Sequence, residues 1–88
     1  MREAWKLVLD EGALHVLLSC RFADRRKLLT SLQNLKQNPY QSGDFVEHDD
    51  TGRPLDVKVF GAFLITYWRD NFVKERRVVE IERVRIGR

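Results

Sequence analysis

The sequence predicts an α+β fold in which an N-terminal strand and a two-helix hairpin precede an antiparallel β-meander. Residues 5–9 alternate between apolar and other side chains, residues 14–35 carry leucines at helical spacing, and residues 43–86 alternate with period two. Turn-forming residues interrupt the last stretch at positions 49–52, 61 and 70–71. Because 88 residues support one hydrophobic core, we expect residues 1–88 to form a single domain.

The leucine positions predict which face of each helix is buried. A helix brings residues three and four positions apart onto one face, so we expect two apolar stripes. The first consists of Leu14, Leu17 and Leu18, and the second of Leu28, Leu29, Leu32 and Leu35. Asp10 and Asp24 are predicted N-caps, because a carboxylate there accepts hydrogen bonds from free backbone N–H groups. Asn38-Pro39 ends the second helix.

Alternation within the meander predicts the faces of its strands. We place Val57, Val59, Phe63 and Ile65 on the core face, with Tyr67 packing beside them. The other face then carries an apolar patch of Phe60, Leu64 and Trp68, and exposed patches of this kind often bind partners. In the last strand Val79 and Ile81 share a face, but the phase breaks at residues 82–83. A β-bulge there would turn Arg83 and Arg85 toward the open face.

Composition narrows the class of protein. The net charge is +3, with basic residues concentrated after position 52 and acidic residues interleaved among them, which favours either a polyanionic partner or a solvated surface. No apolar run is as long as a membrane span, so we expect no membrane association. The lone Cys20 excludes an internal disulfide framework and fits a cytoplasmic location.

Several kinds of catalytic centre are missing from the sequence. It contains no glycine-rich phosphate loop, no Cys/His zinc spacing and no Ser-His-Asp set. Asp56, Glu80 and Glu82 have the same parity, but nothing in the sequence makes their oxygens converge on a metal ion. The sequence therefore predicts neither a metal site nor a cofactor.

The order of elements resembles the RelE/ParE superfamily of toxins from type II toxin–antitoxin systems. Five features in this order carry the resemblance: Leu28-x3-Leu32-x2-Leu35-x2-Asn38-Pro39, Gly43-Asp44, Gly52-Arg53 before a strand, Tyr67 at the end of the next, and Val79-x-Ile81 followed by arginines. The resemblance covers nearly the whole chain. It implies a cytoplasmic, plasmid-stabilisation-like toxin that a small antitoxin protein neutralises.

The resemblance implies two modes of action. One branch of the superfamily cleaves messenger RNA on the ribosome and stops translation, and the other inhibits DNA gyrase. In the RNA-cleaving branch, a strand lysine and an arginine after the last strand belong to the nuclease site. Lys58 is similar to that lysine, and Arg83 or Arg85 is similar to that arginine. The chain departs from the pattern at Asp56 and Leu64, where the superfamily tends to have basic residues. These departures favour a binding-only member or an inactive relic of the fold.

The candidate site residues follow from the chemistry of RNA cleavage. Lys58, Arg83 and Arg85 would stabilise charge on the phosphate, and His48 is the histidine suited to proton transfer. The predicted RNA-binding set is Arg53, Trp68, Arg69 and Arg76, in which Trp68 stacks on a base and Arg69 holds a phosphate. The alternatives are a solvated lysine, edge-strand charges, a surface histidine and a packed tryptophan. The predicted partners are the antitoxin and the ribosome with its message, or gyrase, and a homodimer through the sheet is also open.

Overall fold

The computed structural model describes residues 5–84, and its α+β architecture confirms the predicted fold class. The chain forms β1 (Lys6–Leu9), α1 (Glu11–Ser19), α2 (Phe22–Gln37), β2 (Phe45–His48), β3 (Pro54–Phe60), β4 (Phe63–Asp70) and β5 (Glu75–Arg83). The five strands form one sheet in the order β1-β5-β4-β3-β2. Strands β2 to β5 are an antiparallel meander, and β1 pairs parallel to β5.

The two helices cover one face of the sheet and form the core with it. Buried side chains from α1, α2, β4 and β5 make one cluster: Ala13, Leu17, Leu28, Leu32, Leu35, Phe63, Ile65, Tyr67, Val78 and Ile81. The predicted helix stripes are too wide, because Leu14, Leu18 and Leu29 lie largely exposed. In each helix the residues that contact the sheet occupy a narrower arc than the leucine spacing indicates. No helix within residues 5–84 is long and apolar enough to cross a membrane.

The helix corner is closed by an arginine instead of the predicted aspartate caps. Asp10 stands at the N-cap position of α1, but its carboxylate makes no cap hydrogen bond and pairs with Arg77 at 3.0 Å. The N-cap of α2 is Arg21, and Asp24 lies in the first turn, where a negative charge suits the helix dipole. Arg25 donates to the carbonyls of Leu17 and Leu18 at 3.1 and 2.8 Å, which satisfies the end of α1.

The structure reverses the predicted faces of β3. The two-residue turn at positions 61–62 pairs Phe60 directly with Phe63, so Phe60 lies on the helix-covered face and packs on the core. Lys58 and Asp56 share that face. Val57 and Val59 project from the opposite face, where Val57 is buried and Val59 is 51% exposed. The sequence error arose because alternation gives the faces of one strand but not its register with the next.

A β-bulge interrupts β5, although not where the sequence predicts it. Thr66 lies opposite Glu80 and Tyr67 lies opposite Val78, so Val79 is an extra residue in β5. Val78 and Ile81 therefore both point into the core, and the prediction that Val79 and Ile81 share a face is wrong. The bulge also leaves Arg83 on the helix-covered face, opposite Phe63, instead of the open face.

Candidate nucleic-acid interface

Two groups of basic residues lie at opposite ends of the sheet. The first, the lysine end, consists of Lys58 on β3 and Arg83 at the end of β5, with Phe60 and Phe63 on the same face. Lys58 is half-buried and has no hydrogen bond or ion pair within residues 5–84. The two cations are two strands and two residues apart, which puts their Cα atoms about 12 Å from each other. Their long side chains can therefore reach the same phosphate.

Arg83 is held by two neighbours. Its Nη1 lies 3.1 Å from Oδ2 of Asp24 on α2, and its guanidinium lies 5.4 Å from the centre of the Phe63 ring. The Arg83 side chain remains 56% exposed. A cation over an aromatic face and beside a carboxylate has a fixed position, but part of its charge is neutralised.

The two sequence departures have different structural roles. Asp56 Oδ1 accepts a hydrogen bond from the backbone N–H of Gly43 at 3.2 Å, so its carboxylate anchors the connection between α2 and β2. Leu64 lies on the face opposite to Lys58. The β4 residues that do share the face of Lys58 next to it are Phe63 and Ile65, both apolar and buried. No polar side chain of β4 therefore lies between the two cations on this face.

Of the other two predicted catalytic residues, His48 does not join the lysine end. His48 is exposed at the end of the edge strand β2 and pairs with Pro54. Pro54 and Lys58 are four residues apart on β3, so His48 lies about 13 Å along the sheet from Lys58. Arg85 lies outside the described residues.

The second group, the arginine end, consists of Arg53, Arg69 and Arg76 around a depression of 340 Å³. The Arg53 guanidinium lies 4.1 Å from the centre of the Trp68 ring, and that of Arg69 lies 4.6 Å from the centre of the Tyr40 ring. The structure thus brings together all four residues of the predicted RNA-binding set: Arg53, Trp68, Arg69 and Arg76.

Arg76 occupies the arginine end in a way that the sequence did not indicate. Its side chain is only 1% exposed, lies 4.8 Å from the centre of the Tyr67 ring, and donates from Nη2 to the carbonyl of Gln41 at 2.5 Å. Burial lowers the pKa of Arg76, and the positive charge of Arg69 acts in the same direction. Arg76 therefore supports the floor of the depression, and Arg53 and Arg69 are its accessible cations.

Tyr67 lies beneath Arg76 and is not placed for proton transfer. Its side chain is fully buried, and its hydroxyl is 3.5 Å from the same Gln41 carbonyl. Burial, together with the negative charge of Asp56, raises the pKa of Tyr67 to about 12. The expectation that Tyr67 is a packing residue agrees with this position.

The connection between α2 and β2 belongs to the arginine end, although the sequence did not predict it. Tyr40 is 65% exposed, stacks with Arg69, and meets Trp5 edge-on with ring centres 5.7 Å apart. An aromatic residue directly after Pro39, in a short connection with no apolar periodicity, was the available signal. Residues 5–84 contain no group of three His, Cys, Asp or Glu side chains that could hold a metal ion.

Comparison with known proteins identifies the fold. No protein-family model and no curated protein sequence matches the chain. Solved structures do. The isolated RelE toxin of E. coli superposes with a TM-score of 0.77 at 15% identity, covering 96% of this chain and 88% of that one. RelE in the archaeal RelE–RelB complex of Pyrococcus horikoshii gives 0.74 at 12% identity, covering 97% and 100%. The chain has the fold of RelE toxins.

A third structure agrees with this assignment. The toxin–antitoxin complex RelBE2 of Mycobacterium tuberculosis gives a TM-score of 0.75 at 10% identity, covering 92% of this chain and 99% of that one.

The most exposed apolar side chains of the two helices are Leu18 and Phe22, which are 61% and 71% exposed. The predicted sheet patch is smaller than expected, because Phe60 packs on the core. The helices therefore carry a larger exposed apolar surface than the sequence predicted.

Proposed function

We propose that this protein is the cytoplasmic toxin of a toxin–antitoxin pair, and that its lysine end binds and cleaves messenger RNA on the ribosome. One observation carries the proposal: Lys58 and Arg83 lie on the same face of a RelE fold, on either side of the Phe60 and Phe63 rings. Two cations beside the half-buried Phe60 ring suit a phosphate with its attached base.

The proposed chemistry is transfer of the phosphate within the RNA chain. The 2′-hydroxyl loses its proton to solvent water as its oxygen attacks the adjacent phosphorus, the new P–O2′ bond forms as the P–O5′ bond breaks, and the leaving 5′-oxygen takes a proton from solvent water. Lys58 and Arg83 would stabilise the negative charge that grows on the phosphate oxygens in the transition state. Neither Tyr67 nor His48 lies in a position to take the 2′-hydroxyl proton. The rate enhancement in this proposal therefore rests on charge stabilisation and positioning.

The antitoxin in this proposal contacts the helices. Leu14, Leu18 and Phe22 are large apolar side chains exposed on α1 and at the start of α2. Leu14 and Leu18 also line a groove along α1. Exposed apolar surface of this kind usually marks a site for another protein. A homodimer through the sheet stays a prediction.

Inducible expression in cells, followed by mapping of message ends, tests the cleavage. The parent should arrest growth and produce new ends inside translated messages. Lys58→Ala and Arg83→Ala should each reduce cleavage by roughly a hundred- to a thousandfold, because each removes one positioned cation. Lys27→Ala, at an exposed position of α2, is the matched control and should cleave like the parent. A harmless parent, or unchanged cuts in both variants, would refute the proposal.

A second candidate function is inhibition by binding alone, with DNA gyrase or an antitoxin as the protein partner. The ion pair between Arg83 and Asp24 favours it, since it neutralises one of the two cations that cleavage needs. So do Ile65 and Phe63, which lie between Lys58 and Arg83 and are buried, because they offer no polar group to a phosphate. Growth arrest without new message ends would support this candidate, and supercoiling by purified gyrase in the presence of the protein would then identify the target.

A further inference from the structure

The arginine end carries positive charge that the protein does not neutralise. Arg69 and Arg76 lie directly opposite each other on β4 and β5, an arrangement of like charges that destabilises a strand pair. No ion pair within residues 5–84 uses Arg53, Arg69 or Arg76. The Nε atoms of Arg69 and Arg76 are buried without a hydrogen-bond partner. Asp56 is the one carboxylate that lines the depression beside the three arginines.

Aromatic rings accompany these cations. Tyr40 and Trp68 line the depression and stack with Arg69 and Arg53. Phe72 is 95% exposed in the turn between β4 and β5, three residues after Arg69. A carboxylate ligand needs only the arginines, whereas a nucleotide uses both kinds of group, because every base has a face that stacks on a ring and a phosphate that pairs with a guanidinium.

We infer that the arginine end is a second RNA-binding site, which takes one phosphodiester between Arg53 and Arg69 and stacks an adjacent base on Tyr40. The inference rests on the proposed RNA target. The row of Arg69 and Arg76 is four residues along the sheet from the row of Lys58, a distance of about 13 Å. One single strand can therefore contact both ends, and the arginine end would fix the register of the message over the lysine end.

Fluorescence anisotropy with a short single-stranded RNA tests the site. The RNA carries 2′-O-methyl groups, so it binds but cannot be cleaved, and no ribosome is present. Arg53→Ala, Arg69→Ala and Tyr40→Leu should each weaken binding on the order of tenfold. The two arginine variants should also lower the slope of log affinity against log salt by about 0.7 each, as expected for one lost contact to a single-stranded phosphate. Arg26→Ala, an exposed arginine on α2, is the control and should bind like the parent.

Competition and thermal melting make the outcome decisive. Polyglutamate should compete poorly with the RNA, and equal competition would overturn the inference in favour of an acidic protein partner. Unchanged affinity in Tyr40→Leu would overturn it as well, since a plain anion site does not use the ring. Thermal melting of each variant identifies any that has lost its fold. If Arg69→Ala has lost its fold, Arg53→Ala alone tests the arginine contacts.

The RNA-binding experiment and the cleavage experiment can fail separately. RNA binding through Arg69 and Tyr40 by a parent that cuts no message would remove the cleavage proposal and keep the second site. Message cleavage by a parent whose RNA affinity does not depend on Arg69, Arg53 or Tyr40 would remove the second site alone.

Discussion

The two basic ends of the sheet hold their positive charge in different ways. At the lysine end, the cations are separated by apolar side chains, and Asp24 pairs with Arg83 at 3.1 Å. At the arginine end, three guanidiniums surround one depression and contact aromatic rings and a backbone carbonyl instead of carboxylates. Rings and carbonyls position a cation while leaving its charge available to a ligand. The arginine end is therefore the stronger anion site by charge.

The largest expected effect is a pH dependence of stability that arises from Tyr67, which is buried beneath the arginine end. Because the pKa of Tyr67 is about 12 in the fold and its ordinary value is 10.0, the folded protein keeps the phenolic proton over a pH range in which the unfolded chain loses it. Ionisation of Tyr67 should leave the free energy of unfolding unchanged below pH 10 and should lower it between pH 10 and 12. The expected slope is on the order of 1.4 kcal/mol per pH unit.

Urea unfolding at several alkaline pH values measures that slope. Tyr67→Phe should remove it, because the variant has no proton to lose at this position. Tyr40→Phe is the matched control, since it deletes the hydroxyl of an exposed tyrosine in the same region, and it should keep the slope of the parent. A Tyr67→Phe protein with the parent's pH dependence would contradict the burial of the Tyr67 hydroxyl.

A substitution at Gly43 tests whether the connection between α2 and β2 supports the arginine end more than the lysine end. A Cβ at Gly43 would lie 2.7 Å from the backbone N and O atoms of Val57, so Gly43→Ala must displace the connection. We expect a loss of about 1–3 kcal/mol in the free energy of unfolding. RNA binding at the arginine end should weaken with it, because Gln41, whose carbonyl accepts from Arg76, lies two residues away.

Gly12→Ala supplies the control for this substitution. Nothing lies within 4 Å of a Cβ built at Gly12, which is in α1, so that change should keep the stability or raise it by up to about 1 kcal/mol. Because Lys58 and Arg83 remain in place, message cleavage by folded Gly43→Ala should fall less than its RNA affinity does. Equal loss of cleavage and of RNA binding would show that the two ends are not independent.

The smallest expected effect concerns the ion pair at the lysine end. Asp24→Asn removes the carboxylate beside Arg83, and since the Arg83 side chain is 56% exposed, stability should change by less than about 1 kcal/mol. The freed guanidinium should add roughly one phosphate contact and steepen the salt dependence of RNA binding by about 0.7. Asp10→Asn breaks the comparable pair with Arg77 and should leave the salt dependence unchanged. An unchanged slope in Asp24→Asn would place Arg83 outside the RNA path.

The sequence predicted the order of the elements and much of the core, because leucine spacing and turn residues are local signals. It did not predict which β3 residues share a face with β4, since that depends on the two-residue turn that pairs Phe60 with Phe63. It grouped Arg53, Trp68, Arg69 and Arg76 as candidates but treated Arg76 as a surface residue. The contact of Tyr40 with Arg69 could not be found from either residue, because it joins segments that are distant in the chain.

The bulge at Val79 decides on which side of the sheet the two ends lie. Arg76 and Arg83 are seven positions apart, an odd number, and an uninterrupted strand would project them from opposite sides. The extra residue makes the effective count even, so that both project toward the helices. A chain shortened by this one residue would keep all of its basic side chains and most of its strand pairing. It would nevertheless divide them between the front and the back of the molecule, beyond the reach of any one strand crossing a single face.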